Sequence, residues 1–188
     1  MRVIAGDARG RRMVAPRGLA TRPATARVRQ SIFSRLAART AIDGARVLDL
    51  YAGSGSLGIE ALSRGAATAV FVDSARSAAG AIERNLETLG LRARGELIIA
   101  EAGRALTALG ARGARFDLVF IDAPYADDRS AERLTRIVEL GLLADGGWVV
   151  VRQAGRVVQP AGAGLEQVGT STMGDHRITL YRRAPAAC

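Results

Sequence analysis

The segment Phe120-Ile121-Asp122-Ala123-Pro124-Tyr125 sets a carboxylate, a backbone carbonyl, a rigid turn residue and an aromatic ring side by side. Each has a use in one chemistry. The oxygens of Asp122 and Ala123 accept N–H bonds, Pro124 stiffens the turn that presents them, and the Tyr125 ring can stack on a base. Together they form a receptor for a planar amine. Alone, the segment would read as an ordinary Asp-Pro loop turn. Its weight comes from an earlier stretch, Val47 to Leu62, in which Gly53, Gly55 and Gly58 stand in the spacing G-x-G-x-x-G. Glycines there permit a tight turn and close backbone approach to a ligand, while the following helix presents its N-terminal amides. Asp73 ends the next apolar run, 20 residues after Gly53. An acid at that place can accept both ribose hydroxyls of an adenosine, and its competing role is a helix N-cap.

The glycine turn and Asp73 fit NAD and S-adenosylmethionine equally, because both ligands carry adenosine. Asp49, four residues before Gly53, separates them. A dinucleotide brings a pyrophosphate to the turn, which a neighbouring carboxylate would repel. The methionine end of S-adenosylmethionine brings an ammonium group, for which a carboxylate is a natural partner. The alternative, a buried structural Asp49, would require an expensive buried charge to be compensated.

These residues need strands and helices to place them. Apolar runs predict strands at Arg46–Tyr51, Thr68–Val72, Glu96–Ala100, Phe116–Ile121 and Gly147–Arg152. Amphipathic segments between them predict helices at Ser56–Arg64, Ser77–Leu89, Gly103–Leu109 and Ser130–Leu140. Such alternation builds a parallel sheet covered on both faces, with ligands at the carboxyl ends of its strands. Leu165–Thr172 and Arg177–Arg182, joined by the turn Met-Gly-Asp-His, predict an antiparallel end to the sheet within residues 153–188. Before Gly44, the apolar pairs Val3-Ile4 and Met13-Val14 suggest a small hairpin or extended arm, and Pro23 opens a helix with Val28, Ile32, Phe33 and Leu36 on one face.

The charge is segregated. Residues 1–40 hold ten arginines and one acid, Asp7, while the other 148 residues hold 17 arginines and 17 acids, so the whole net charge of +9 lies in the first fifth of the chain. Genome composition can explain arginine in place of lysine, which is absent, but not this segregation. A basic arm beside a neutral body is the footprint of a phosphate-backbone binder. No apolar run approaches a membrane span, no signal-peptide core is present, and the one cysteine is Cys188, so a cytoplasmic protein without internal disulfides is expected. The single histidine, His176, reads as structural or exposed, and no metal is implied.

The blocks RVIAGDARGRRM, RPATARVRQSIF, GARVLDLYAGSGSLGIEALSRGA, VFVD and FDLVFIDAPY resemble, in order, those of the RsmD family of 16S rRNA guanine N2-methyltransferases. The likeness runs from Arg2 to about Arg152. It implies an α/β, Rossmann-like class I methyltransferase fold: a mostly parallel seven-stranded sheet with helices on both faces and an antiparallel C-terminal strand. It implies two parts, a basic RNA-binding extension over 1–40 and a methyltransferase domain over 41–188. The cofactor is then S-adenosyl-L-methionine, held by Asp49, Tyr51, Ala52, Gly53, Ser54, Gly55, Asp73, Ser74, Glu101 and Ala102. Asp122, Ala123, Pro124 and Tyr125 hold the amine of guanine-966. Arg9, Arg11, Arg12, Arg22, Arg27 and Arg29 grip RNA phosphates. The substrate is the small ribosomal subunit or its assembly intermediate, and the enzyme acts as a monomer. In one departure, Ala123 replaces the first proline of the family's usual Asp-Pro-Pro-Tyr or Asp-Pro-Pro-Phe, which keeps the carbonyl but relaxes the backbone. The rival readings are a DNA adenine or protein glutamine N-methyltransferase, an NAD-dependent oxidoreductase, and a nucleic-acid binder with a degenerate pocket.

Overall fold

Strands whose side chains are apolar on both faces must be covered on both faces, and that requirement organises the computed structural model, which describes residues 1–16, 25–123, 129–154 and 164–183. Seven strands form one sheet: β1 (Arg46–Leu50), β2 (Thr68–Asp73), β3 (Gly95–Ile99), β4 (Phe116–Ile121), β5 (Leu143–Ala154), β6 (Leu165–Met173) and β7 (His176–Arg183). Their order is β3-β2-β1-β4-β5-β7-β6. The first five are parallel, and β7 runs antiparallel to both β5 and β6. The helices are α1 (Ala26–Ala37), α2 (Ser56–Ser63), α3 (Arg76–Leu89), α4 (Ala102–Ala111) and α5 (Ser130–Glu139). No helix among the described residues is long and apolar enough to cross a membrane.

Alternate residues of each strand feed two cores. Val47, Phe71, Phe120 and Val150 pack beneath α1, α2 and α3, whereas Leu48, Val70, Val119 and Val151 pack beneath α4 and α5. The parallel-sheet expectation therefore holds, with the antiparallel closure of residues 164–183. Most element ends shift by one or two residues, and β5 shifts most. β5 begins at Leu143, not Gly147, and a register shift between Phe116 and Leu118 absorbs the extra length.

The described residues of the basic segment share the core of the sheet. Val3, Ala8 and Met13, with Val28, Ile32, Phe33 and Leu36 of α1, belong to the same cluster as Val47 of β1. Residues 1–16 do form the expected hairpin, bridged at Arg2 and Arg12, and it is tied down tightly. Fully buried Glu60 of α2 accepts from the amides of Ile4 (2.8 Å) and Ala5 (3.0 Å) and from Nε of Arg64 (2.9 Å). Ser63 donates to Ala5 O (2.6 Å) and accepts from the Ala8 amide (3.0 Å). Asn85 of α3 exchanges two bonds with Val14 and donates to Ser54 O (2.9 Å), joining hairpin, helix and glycine turn.

Candidate active site

The strand order reverses between β1 and β4, so the loops after them open beside one another. Backbone bonds bring the ends of four strands together. The Ala52 amide donates to Val72 O (3.0 Å), Ala100 to Asp73 O (3.1 Å), and Asp122 to Leu50 O (3.3 Å). The segments carrying Asp49, Gly53, Asp73, Glu101 and Asp122 thus meet at one edge of the sheet.

The turn itself requires left-handed backbone. Gly53 (φ +57°) and Gly55 (φ +73°) adopt it without a Cβ penalty, and Tyr51 (φ +60°) adopts it at a cost of about 1–3 kcal/mol. Asp73 fastens the turn: one oxygen accepts the Gly53 amide (2.8 Å) and the other the Ala75 amide (2.9 Å) just before α3. Two of its roughly four lone-pair sites are thereby used, and the others remain for a ligand. The third glycine serves packing. A Cβ on Gly58 would stand 2.4 Å from Cε1 of buried Phe71, so only hydrogen allows α2 to lie this close to β2.

Asp49 is 1% exposed. Gly55, the N-cap of α2, has no side chain to satisfy the first turn, and Asp49 supplies that bond from the strand by accepting the Gly58 amide (2.9 Å). Burial pushes its carboxyl well above the usual range; the Gly58 amide opposes this, and the Asp122 and Asp73 carboxylates reinforce it. No arginine among the described residues pairs with it. A buried acid facing two more acids favours a cationic ligand.

A cleft of about 150 Å³ is lined by Tyr51, Asp73, Ser74, Glu101, Ala102 and Arg129, among others, so five of the expected cofactor residues share one cavity. Ala52, Ser54 and Gly55 are buried in the turn beside it. Glu101 caps α4 by accepting the Arg104 amide (3.2 Å). Burial works to raise its carboxyl, but the Gly103 and Arg104 amides with Arg133 and Arg129 hold it below its ordinary value. Arg133 of α5, almost wholly buried, donates to Glu101 (2.5 Å) and to the Tyr51 hydroxyl (3.4 Å).

Asp122 emerges beyond β4 with its carboxylate already engaged. Arg152 of β5 binds it with two bonds, Nε to one oxygen at 2.5 Å and an Nη to the other at 2.9 Å. Burial raises the Asp122 carboxyl more than Arg152 and His176 lower it. Ala123 lies beside it, half-buried, while Pro124 and Tyr125 fall outside the described residues. Burial and Arg152 push the His176 imidazole below its usual range, against Asp122 and Asp175.

Among the basic residues, Arg9, Arg12 and Arg27 are exposed and Arg22 lies outside the described residues. Arg11 is exposed but donates to the Leu89 carbonyl (2.9 Å) and to that of Thr88, neutralising the C-terminal carbonyls of α3. Arg29 departs from expectation. It is 1% exposed and donates to Arg2 O (2.7 Å), so a phosphate cannot reach it, and the loss of hydration lowers its pKa. The signal was present in the spacing: Arg29 stands at i, i+4 and i+7 with Phe33 and Leu36, on the buried stripe.

Sequence reasoning also missed Arg152, Arg133, Arg129, Asn85 and the placement of His176. For Arg152 a signal existed, since a cation inside the apolar run Trp-Val-Val-Val-Arg demands a buried partner. The others meet their partners only across elements.

A family model described as "Conserved hypothetical protein 95" matches residues 1–182. The chain is 38% identical over 184 residues to the Bacillus subtilis "Putative rRNA methyltransferase YlbH", spanning 97% of this chain and 99% of that protein. It is 33% identical over 186 residues to the Escherichia coli K12 "Ribosomal RNA small subunit methyltransferase D", spanning 97% and 90%. A solved structure, "Putative methyltransferase yhhF from Escherichia coli", superposes with a TM-score of 0.86 at 32% identity, covering 100% of this chain and 99% of that one.

Proposed function

The chain belongs to the family described as Conserved hypothetical protein 95, the RsmD family that its sequence blocks resemble, and we propose that it transfers a methyl group from S-adenosylmethionine to the exocyclic N2 amine of guanine-966 in 16S rRNA. The relatives named above support rRNA methylation, and the fold is that of class I methyltransferases. The observation that carries the reading is the meeting of Asp49, Asp73 and Asp122 at one sheet edge, beside the cleft that Asp73 lines, with carboxylate acceptors for a cation and for an amine.

The donor set fits the cofactor. Asp49 and the Gly53–Gly55 turn take its ammonium-bearing end, Asp73 offers its remaining lone pairs to the ribose, and Glu101 and Ala102 border the adenine. When bound, S-adenosylmethionine supplies a methyl group on a positively charged sulfur. The guanine leaves its stack to enter the pocket. Asp122 and the Ala123 carbonyl accept its N2–H bonds and Tyr125 stacks on the ring, which turns the nitrogen lone pair toward the methyl. Orientation supplies most of the acceleration. Residues 1–40 act as the RNA-gripping extension and 41–188 as the methyltransferase part, sharing one core.

The test is transfer of labelled methyl to small ribosomal subunits lacking this modification. Incorporation at one guanine N2 is the expected result; incorporation at adenine, or none, would overturn the assignment. Binding of NAD in preference to S-adenosylhomocysteine would favour the oxidoreductase, which a carboxylate under the glycine turn opposes.

Two further outcomes follow from the geometry. Arg9→Ala combined with Arg12→Ala should flatten the slope of log K against log salt by about 1.4–1.8, the release of two phosphate contacts, with cofactor affinity unchanged. Arg11 is a poor choice for that experiment because it holds α3. Cofactor affinity should also depend on pH through Asp49. Its carboxyl is raised, with the Asp122 and Asp73 carboxylates facing it, and a cationic ligand needs it ionised. Affinity for S-adenosylhomocysteine should therefore be greatest above the raised value and fall as pH descends through it, in a window beginning above the usual carboxylate range. Asp49→Asn should weaken binding by about 10–100-fold and remove that pH dependence, as read by titration calorimetry.

A further inference from the structure

Asp122 stands among three charged or titratable groups, each from a different strand: Arg152 from β5, His176 from β7 and Asp49 from β1. Burial raises the Asp122 carboxyl toward its protonated form, and Asp122 in turn raises the facing Asp49 carboxyl. A protonated Asp122 would present an O–H, and a substrate amine that donates two N–H bonds would meet a donor where it needs an acceptor. Arg152 works against this. Its side chain is 11% exposed and that of Asp122 14%, so water screens the pair little. The two-bond fork also fixes the plane of the carboxylate, which a single bond could not do.

Building on the amine-acceptor reading of Asp122, we propose that Arg152 is the positioning residue of this site: it keeps the Asp122 carboxylate ionised and in one plane, leaving only its outward lone pairs for the substrate amine. Both Asp122 oxygens already accept from Arg152. Asp122 then orients the amine without removing its proton, and the proton released after N–C bond formation leaves to solvent.

The inference is read without substrate by carboxyl ¹³C titration of the full chain, with the Asp122 resonance identified by its loss in Asp122→Asn. In Arg152→Met the Asp122 midpoint should rise by about 1–3 pH units, and the acid limb of the kcat profile should move with it. Arg152→Lys keeps the charge but not the fork. It should hold the midpoint within about one unit of wild type yet lower kcat by about tenfold with the KM for RNA unchanged, because a point charge does not fix the carboxylate plane. His176→Gln should leave the arginine effect intact. An unmoved midpoint in Arg152→Met overturns the proposal; should that variant not fold, full activity in Arg152→Lys overturns it equally. A wild-type chain that methylates no rRNA, with the midpoint shifted as expected, overturns the amine-acceptor reading instead.

Discussion

Asp122→Ala should lower kcat for methyl transfer by about 10³-fold, with little change in the KM for RNA. Removing one preorganised polar group that acts on the reacting atoms typically costs 10²–10³-fold, and here the same group also orients the nucleophile. RNA affinity should hold because the arginines proposed to grip phosphates, Arg9, Arg12 and Arg27, are exposed on the hairpin and α1, whereas Asp122 is bound by Arg152. The alanine has a second effect. It leaves Arg152 buried without its partner, and breaking a buried pair costs about 3–5 kcal/mol. The variant should therefore melt lower, and activity must be compared at a temperature where it is folded. Asp122→Asn separates the two effects. It retains an acceptor oxygen but turns an N–H group toward the Arg152 donors, so it should recover part of the stability and little of the rate. Single-turnover methyl transfer beside calorimetry of S-adenosylhomocysteine binding reads both; near-normal kcat in Asp122→Ala would remove the residue from the mechanism.

Gly6→Ala should be the most damaging single methyl group in the hairpin. A Cβ there would stand 1.7 Å from the Ser63 carbonyl oxygen and 2.2 Å from its carbon, on backbone with φ +80°. Neither partner can yield, because both are backbone: Ser63 is held in α2 and its carbonyl accepts the Asp7 amide (2.8 Å). Overpacking and left-handed strain together cost about 3 kcal/mol or more. In a chain of this size that corresponds to a fall in Tm of roughly 6–12 °C. The alternative for the molecule is to release residues 1–16, which would expose Val3, Ala8 and Met13 and free the Ile4 and Ala5 amides from Glu60. Amide hydrogen exchange distinguishes the two routes. Gly10→Ala is the control, since Gly10 shares the backbone angle (φ +79°) but has open space around its Cβ, and it should cost about 1–2 kcal/mol. Equal losses in the two variants would show that the Ser63 contact does not hold the hairpin.

Much of the candidate site is legible in the order of residues. Strand ends are visible wherever an apolar run stops at a glycine or an acid, and in a parallel α/β sheet those ends converge, so Asp49, Gly53, Asp73 and Asp122 could be placed near one another from order alone. What order could not show was the state of each side chain. Asp73 holds the Gly53 and Ala75 amides, and Asp49 caps α2, before either meets a ligand. Roles that had looked exclusive coexist, because a carboxylate has more lone pairs than one partner uses.

The arginines show where each kind of information ends. Their segregation into residues 1–40 is a property of the chain, as are the alternating strands and helices and the glycines where backbone must turn left-handed, since all depend on neighbours within a few positions. Their individual fates were set by what packs against them. Arg27 faces water, Arg29 two residues later lies sealed under Arg2 and Met1, and Arg11 is tied to the end of α3. Arg152, expected only as the end of a strand, reaches Asp122 across 30 residues of chain because β5 lies beside β4. Residue order alone carries the fold class and points to one edge of the sheet as the candidate site. The tertiary structure decided which charges are buried and which are matched, because desolvation and pairing are set by groups distant in the chain.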